Sequence, residues 1–198
     1  AVSARAVRTL IDALGKSDPA ALISRFDAFS SAIPTWDSNT RSAALDTLAT
    51  SQERLGHQDA AKRTWARQFI EEPIAASTPR ALKKGISITA ALRLVRAENL
   101  LKLNRSELAV TELTAIDDRP LNSDEKCRRR FGLGLGYRKL RKYSDSEKEL
   151  AWAAQHCADA DLARRALYLQ AKVVSISDGL RSIPVIEKFS ERYPDHSM

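Results

Sequence analysis

The stretch that decides the fold is Gly136-Tyr137-Arg138-Lys139-Leu140-Arg141-Lys142-Tyr143-Ser144-Asp145-Ser146-Glu147-Lys148-Glu149-Leu150. Tyr137 closes one helical arm that already contains Leu133 and Gly134. Tyr143, Ser146, Leu150 and Ala153 form the stripe of a second arm, and Arg141-Lys142 stands at the turn between them. Apolar residues at intervals of three, four and seven give a helix one buried face. A small residue in the first turns of the second arm lets the two helices approach, and a larger one a turn later fills the groove beside it. Ser144, three residues before Glu147, has the spacing of a capping box.

The same unit recurs outward along the chain. Leu45, Leu48 and Ala49 lead through Leu55-Gly56 into Ala60-Ala61, Trp65, Phe69 and Pro73. Leu94, Ala97, Leu100 and Leu103 turn at Asn104-Arg105-Ser106 into Ala109, Leu113 and Ile116, stopping before Pro120. Ala166, Leu169 and Val173 turn at Asp178-Gly179 into Ser182, Ile186, Phe189 and Pro194. The opening segment fits more loosely, turning at Gly15-Lys16-Ser17-Asp18 and ending at Pro34. Asp18-Pro19 offers a capping carboxylate followed by a residue suited to the first helical position, and Ser123 precedes a run of helix formers. Prolines 34, 73, 120 and 194 fall where hairpins close, because proline lacks the amide a helix interior needs. No convincing alternation of period two appears; Val-Val-Ser-Ile-Ser at 173–177 comes nearest to a strand and follows a helical run without a break. The reading is all-α, with about ten helices in about five antiparallel hairpins forming one domain over residues 1–198. Turn spacing drifts between roughly 36 and 48 residues, where a strict tetratricopeptide array holds 34.

Composition agrees. Of 198 residues 43% are apolar and 29% charged, which places the chain among folded domains, and seven Gly and seven Pro leave little material for tight β-turns. No apolar run is long enough to span a membrane. A net charge of +7 suits an anionic partner or surrounding, although helical arrays also carry many solvated charges.

Gly132, Gly134 and Gly136 have the wrong spacing and context for a dinucleotide loop and are assigned to close helix packing. His57, His156 and His196 stand in no metal-ligand spacing, and no nucleophile signature occurs. No catalytic residue, metal or cofactor is therefore assigned. Trp36, Trp65 and Trp152 read as core, with Trp36 in its Pro-Thr-Trp-Asp linker the exception best placed for stacking on a ligand. Lys126, Arg128, Arg129, Arg130, Arg138, Lys139, Arg141 and Lys142 concentrate in one helix and its turn, a candidate anion-binding patch. The alternative is plain helix design, with Asp124 and Glu125 at the positive end and cations at the negative end. Cys127 and Cys157 lie about fifteen residues either side of the turn near 142. Antiparallel arms bring both to the same open end of that hairpin. Cys127 lies ten residues before Tyr137 and Cys157 seven after Leu150, so both share the buried seam, either as two packed thiols or as a disulfide.

The stretch from Gly136 to Leu150, then Arg165-Ala166-Leu167-Tyr168, then Tyr193-Pro194-Asp195-His196-Ser197, resembles tetratricopeptide-like hairpins. It is most similar to those in the N-terminal superhelical part of bacterial soluble lytic transglycosylases, and Arg96-Ala97-Glu98-Asn99-Leu100-Leu101 has the same character. Tyr-Pro-Asp-x-Ser endings also occur in other periplasmic repeat proteins. The resemblance covers roughly residues 40–198. It implies a right-handed α-solenoid, a periplasmic or cell-envelope location, and a scaffold that guides peptidoglycan strands or protein partners. The family's catalytic glutamate sits in a C-terminal lysozyme-like domain marked by a Glu-Ser pair and Gly-Leu-Met-Gln. This chain has no Glu-Ser pair and its one Met is Met198, so no catalytic residue carries over. The expectation is a fragment of a longer protein. A stand-alone adaptor that binds a peptide or protein is the alternative, and nucleic acid is the least favoured partner.

Overall fold

The structure, a computed structural model, describes residues 4–30, 36–76 and 78–196. Pro34 and Ser197, which figure in the sequence reading, lie outside the described residues. Among the described residues there are eleven helices and no strand. They are α1 (Ala4–Ser17), α2 (Pro19–Ser30), α3 (Ser38–Arg54), α4 (Gln58–Glu71), α5 (Thr78–Leu82), α6 (Ala90–Lys102), α7 (Ser106–Thr114), α8 (Ser123–Lys139), α9 (Tyr143–His156), α10 (Ala160–Ser177) and α11 (Gly179–Arg192). Where the sequence suggests one domain, the chain divides into two compact units, Ala1–Ile88 and Thr89–Met198.

The first unit holds the hairpins α1–α2 and α3–α4 and the short α5, which packs on α4. One cluster gathers Ile11, Leu22, Phe26, Trp36 and Leu45, and another gathers Ala61, Trp65, Phe69 and Ala81. Trp36 is only 4% exposed, so the linker tryptophan is core and not a ligand platform. Its carbonyl accepts from Arg41 Nη1 at 2.7 Å, and Arg41 also pairs with the buried carboxylate of Glu72. The first turn falls at Asp18 and not at Gly15. Asp18 Oδ1 accepts the Ala21 amide at 2.9 Å, which starts α2 there, while Gly15 lies inside α1, where a β-carbon would meet Thr47 Cγ2 at 2.5 Å.

The second unit holds α6–α7, α8–α9 and α10–α11. Each helix packs on the next in sequence, and α6 packs on α8 as well. Leu94, Ala97, Leu113, Ile116 and Leu133 form one cluster; Phe131, Leu150, Ala153, Ala166, Leu167 and Phe189 belong to the other.

Three turns repeat one backbone device. Gly56, Asn104 and Arg141 sit in the left-handed region at φ of 78°, 57° and 59°. The next amide bonds back five residues: His57 to Gln52 at 2.8 Å, Arg105 to Leu100 at 2.8 Å, Lys142 to Tyr137 at 2.9 Å. This is the Schellman closure of a helix C-terminus. The carbonyls of His57, Arg105 and Lys142 then accept from Ala61, Ala109 and Ser146, each at 3.0 Å, and start the second helix directly. For that reason Ser144 lies inside α9 and caps nothing, whereas α8, entered from an extended residue, has a capping box between Asn122 and Glu125. The small residues Ala61, Ala109 and Ser146 are fully buried, and so are Trp65, Leu113 and Leu150 four positions on. In the last hairpin Ser182 is buried but Ile186 is exposed, as are Ile176, Leu180 and Ile183.

The glycines of α8 serve packing, as their sequence context suggests. A β-carbon at Gly134 would stand 2.6 Å from Leu150 Cγ, and one at Gly136 would stand 2.5 Å from Val110 Cγ2. Ser146 Oγ donates to the Gly134 carbonyl at 2.7 Å, so α9 lies directly on the α8 backbone.

Candidate functional site

The first helices of the three hairpins in the second unit, α6, α8 and α10, run in the same direction. Along α8, Arg128 meets Glu98, Gly132 faces Leu101, and Lys139 reaches Asn104, so positions advance together with α6. Cys127 is tied to Cys157 just ahead of α10, and the Arg165 guanidinium lies 5.2 Å over the Phe131 ring, so α10 advances with α8 too.

The three helices line a groove of about 470 Å³. The α8 stripe facing it is Asp124, Arg128, Phe131, Leu135 and Lys139, spaced by four, three, four and four residues, with Gly132 beside it. Helix α6 contributes Glu98, Leu101 and Lys102; the α10 side contributes Asp159, Leu162 and Arg165. The floor is apolar, made of Leu101, Phe131, Leu135 and Leu162. Such a floor with a few convergent polar groups is the usual make-up of a binding site.

The basic cluster foreseen on α8 is split in two by the fold. Its first half is internally neutralised. Arg128 makes a two-toothed pair with Glu98 at 2.8 and 2.7 Å. Arg129 donates to the Leu113 carbonyl and to Asp118, both at 2.9 Å. Arg130 bridges Glu149 at 3.0 Å and Asp118 at 3.2 Å and lies 5.4 Å over the Trp152 ring. The hydrogen bond to Glu98 raises the Arg128 pKa above its ordinary value. For Arg130, burial lowers it, but Glu149 and Asp118 together outweigh that and the net shift is upward. Burial, reinforced by Asp145 and Glu149, raises the pKa of the nearby Tyr137 phenol. These arginines hold the second unit together.

The remaining cations are at least partly exposed. Lys126 is half-buried on the early part of α8 and makes no ion pair among the described residues. Arg138 is half-buried, with Nε enclosed and without a hydrogen-bond partner among the described residues. Lys139, Arg141 and Lys142 are exposed, and Lys139 donates to Asn104 Oδ1 at 2.5 Å. The fold sets them beside Lys102 and Arg105 from the preceding turn, both exposed. Sequence reading passes over Lys102, Arg105 and the Phe131–Leu135 stripe. A second apolar stripe on α8, away from the seam with α9, is the signal that finds the groove.

Cys127 and Cys157 are joined in a disulfide with their α-carbons 5.5 Å apart. It ties the start of α8 to the residue that closes α9, at the end of the groove where Asp124 and Asp159 stand. His156 stacks on Trp152 with centroids 4.7 Å apart, and His196 packs edge-on to Tyr193. Among the described residues no group of three His, Cys, Asp or Glu is placed to hold a metal ion, and no helix is long and apolar enough to cross a membrane. No known family model, curated protein or solved structure matches this chain.

Proposed function

We propose that the chain is a non-catalytic helical-repeat binding domain of tetratricopeptide-like type, whose hairpins belong to a right-handed α-solenoid and whose ligand is a protein or peptide segment. The observation that carries the reading is the groove across α6, α8 and α10, with an apolar floor and charged walls built from the first helix of three successive hairpins. The three equivalent left-handed turns at Gly56, Asn104 and Arg141 support the repeat assignment. The test is photo-crosslinking. A photoreactive residue at Leu135, compared with one at the exposed Lys148 of α9, is irradiated with a proteolytic digest of bacterial envelope proteins. Peptide adducts at 135 and none at 148 are the expected result; equal labelling at both overturns the reading.

A second reading, a scaffold of a periplasmic cell-wall enzyme similar to a soluble lytic transglycosylase, is favoured by two observations. Residues 136–150 form one hairpin, as the resemblance implies, and the cystine suits an oxidising compartment. The exposed cations Lys102, Arg105, Lys139, Arg141 and Lys142 would then face peptidoglycan carboxylates. Co-sedimentation with purified sacculi that is lost when these five are neutralised supports it, and unchanged sedimentation removes it.

A further inference from the structure

We infer that the groove is polar along its length and takes an extended segment of about seven residues, cationic at one end and anionic at the other, with apolar side chains between. The inference rests on the groove being the binding site and adds the chemistry of what binds there.

The two ends carry opposite charge. At one end stand Asp124 and Asp159, brought together by the Cys127–Cys157 bond that lies three residues from the first and two from the second. The Asp124 side chain is 64% exposed and among the described residues pairs with Arg128 alone, at 3.8 Å, while Asp159 caps α10 through Oδ1 and is itself exposed. At the other end stand Lys102 and Lys139. Lys102 makes no ion pair among the described residues, and Lys139 touches only neutral acceptors, the Asn104 amide and the Leu101 carbonyl. The remaining lining charges are balanced: Glu98 is taken by Arg128, and Arg165, which lies over Phe131, pairs with Asp161 at 3.8 Å. The middle of the groove therefore offers apolar surface, and exposed charge of opposite sign stands at its ends.

Length fixes the segment. From residue 124 to 139 along α8 is about 22 Å at 1.5 Å per residue. An extended chain covers that in about seven residues at roughly 3.3 Å each. Complementary charge at both ends favours one alignment and penalises like-charged competitors.

The experiment uses three fluorescent heptapeptides, acetylated and amidated, with the same five apolar central residues. One has Lys at the first position and Glu at the last; one has Glu at both; one has Lys at both. A basic chain of net charge +7 that attracts peptides only by its overall field ranks them Glu/Glu, then Lys/Glu, then Lys/Lys. A polar groove ranks Lys/Glu first, by about fivefold over either like-charged peptide at moderate salt. The double variant Lys102→Glu with Lys139→Glu, both at exposed positions, then moves the preference to Lys/Lys. Methyl resonances of Leu101, Leu135 and Leu162 in the unmutated protein report where each peptide sits. Methyl shifts in the groove with equal affinities, or with the ranking set by net charge, overturn the polarity and leave the groove standing. No shift at these methyls with any of the three overturns both.

Discussion

Single side chains divide into those that hold the fold and those left free to meet a ligand. Arg129 is 11% exposed and spans α7, the loop at Asp118 and α8. Arg129→Ala leaves the Leu113 carbonyl only backbone amides, Ile116 at 3.4 Å among them, takes one of two arginines from Asp118, and should destabilise the second unit by about 2 kcal/mol in urea unfolding. Lys142→Ala, at an exposed turn, should leave stability within about 0.5 kcal/mol and shorten retention on a cation exchanger. Sequence shows both as members of one basic run. Only the fold separates them, because the acids that claim Arg128 and Arg130 lie thirty and nineteen residues away. Asp37 is a second case. It caps α3, and hydrogen bonds from the Thr40 hydroxyl and amide hold its carboxyl below the usual carboxylate range. A lowered folded-state pKa gives stability that is complete above the unfolded pKa and is lost as pH falls through the folded one. Asp37→Asn keeps an acceptor for the Thr40 amide but cannot titrate. Its melting temperature should therefore fall less steeply than that of the unmutated protein between roughly pH 5 and pH 2.

At the scale of helices and hairpins the sequence is most legible, because a helix writes its buried face into its own spacing. Tyr143, Ser146, Leu150 and Ala153 mark the face that α9 presents to the interior, with Leu150 and Ala153 fully buried. Glycine in a helix interior costs about 1 kcal/mol relative to alanine, so three in α8 imply contacts that offset the cost. Gly134→Ala should destabilise by about 1–2 kcal/mol in spite of its better helix propensity, since the new methyl meets Leu150 Cγ and Cδ2. Adding Leu150→Ala removes that clash, so thermal melts of the single and double variants should show a combined loss smaller than the sum of the separate ones. Helix starts are less legible. Ser144 has the spacing of a cap, but the preceding turn decides where α9 begins, and that turn depends on Arg141 taking a left-handed conformation that sequence does not announce for arginine. Helix α5 and Pro184 within α11 leave no mark in the periodicity, the first because it is five residues long.

For the whole molecule, composition predicts an all-helical chain and repeat spacing predicts five hairpins. The division at residue 88 falls in the non-helical segment 83–89, which reads from sequence as one more connection between helices. Each unit has its own buried clusters, so residues 89–198 alone should fold with helical circular dichroism and a cooperative melt. Replacing Cys127 and Cys157 together by Ser should lower the stability of that unit by about 3–4 kcal/mol in the chain-entropy account, for a closed loop of 30 residues. The melt of residues 1–88 should not move. The cystine has a mechanical consequence as well. Pulled at its two ends, the oxidised chain hides the contour between Cys127 and Cys157 from the load. At about 3.5 Å per residue, those 30 residues amount to about 100 Å of extension that appears in force spectroscopy only after reduction. Lys139, inside the closed loop, is thus shielded from tension, while Asp124 and Asp159, just outside it, stand on the part of the chain that carries the load through the disulfide.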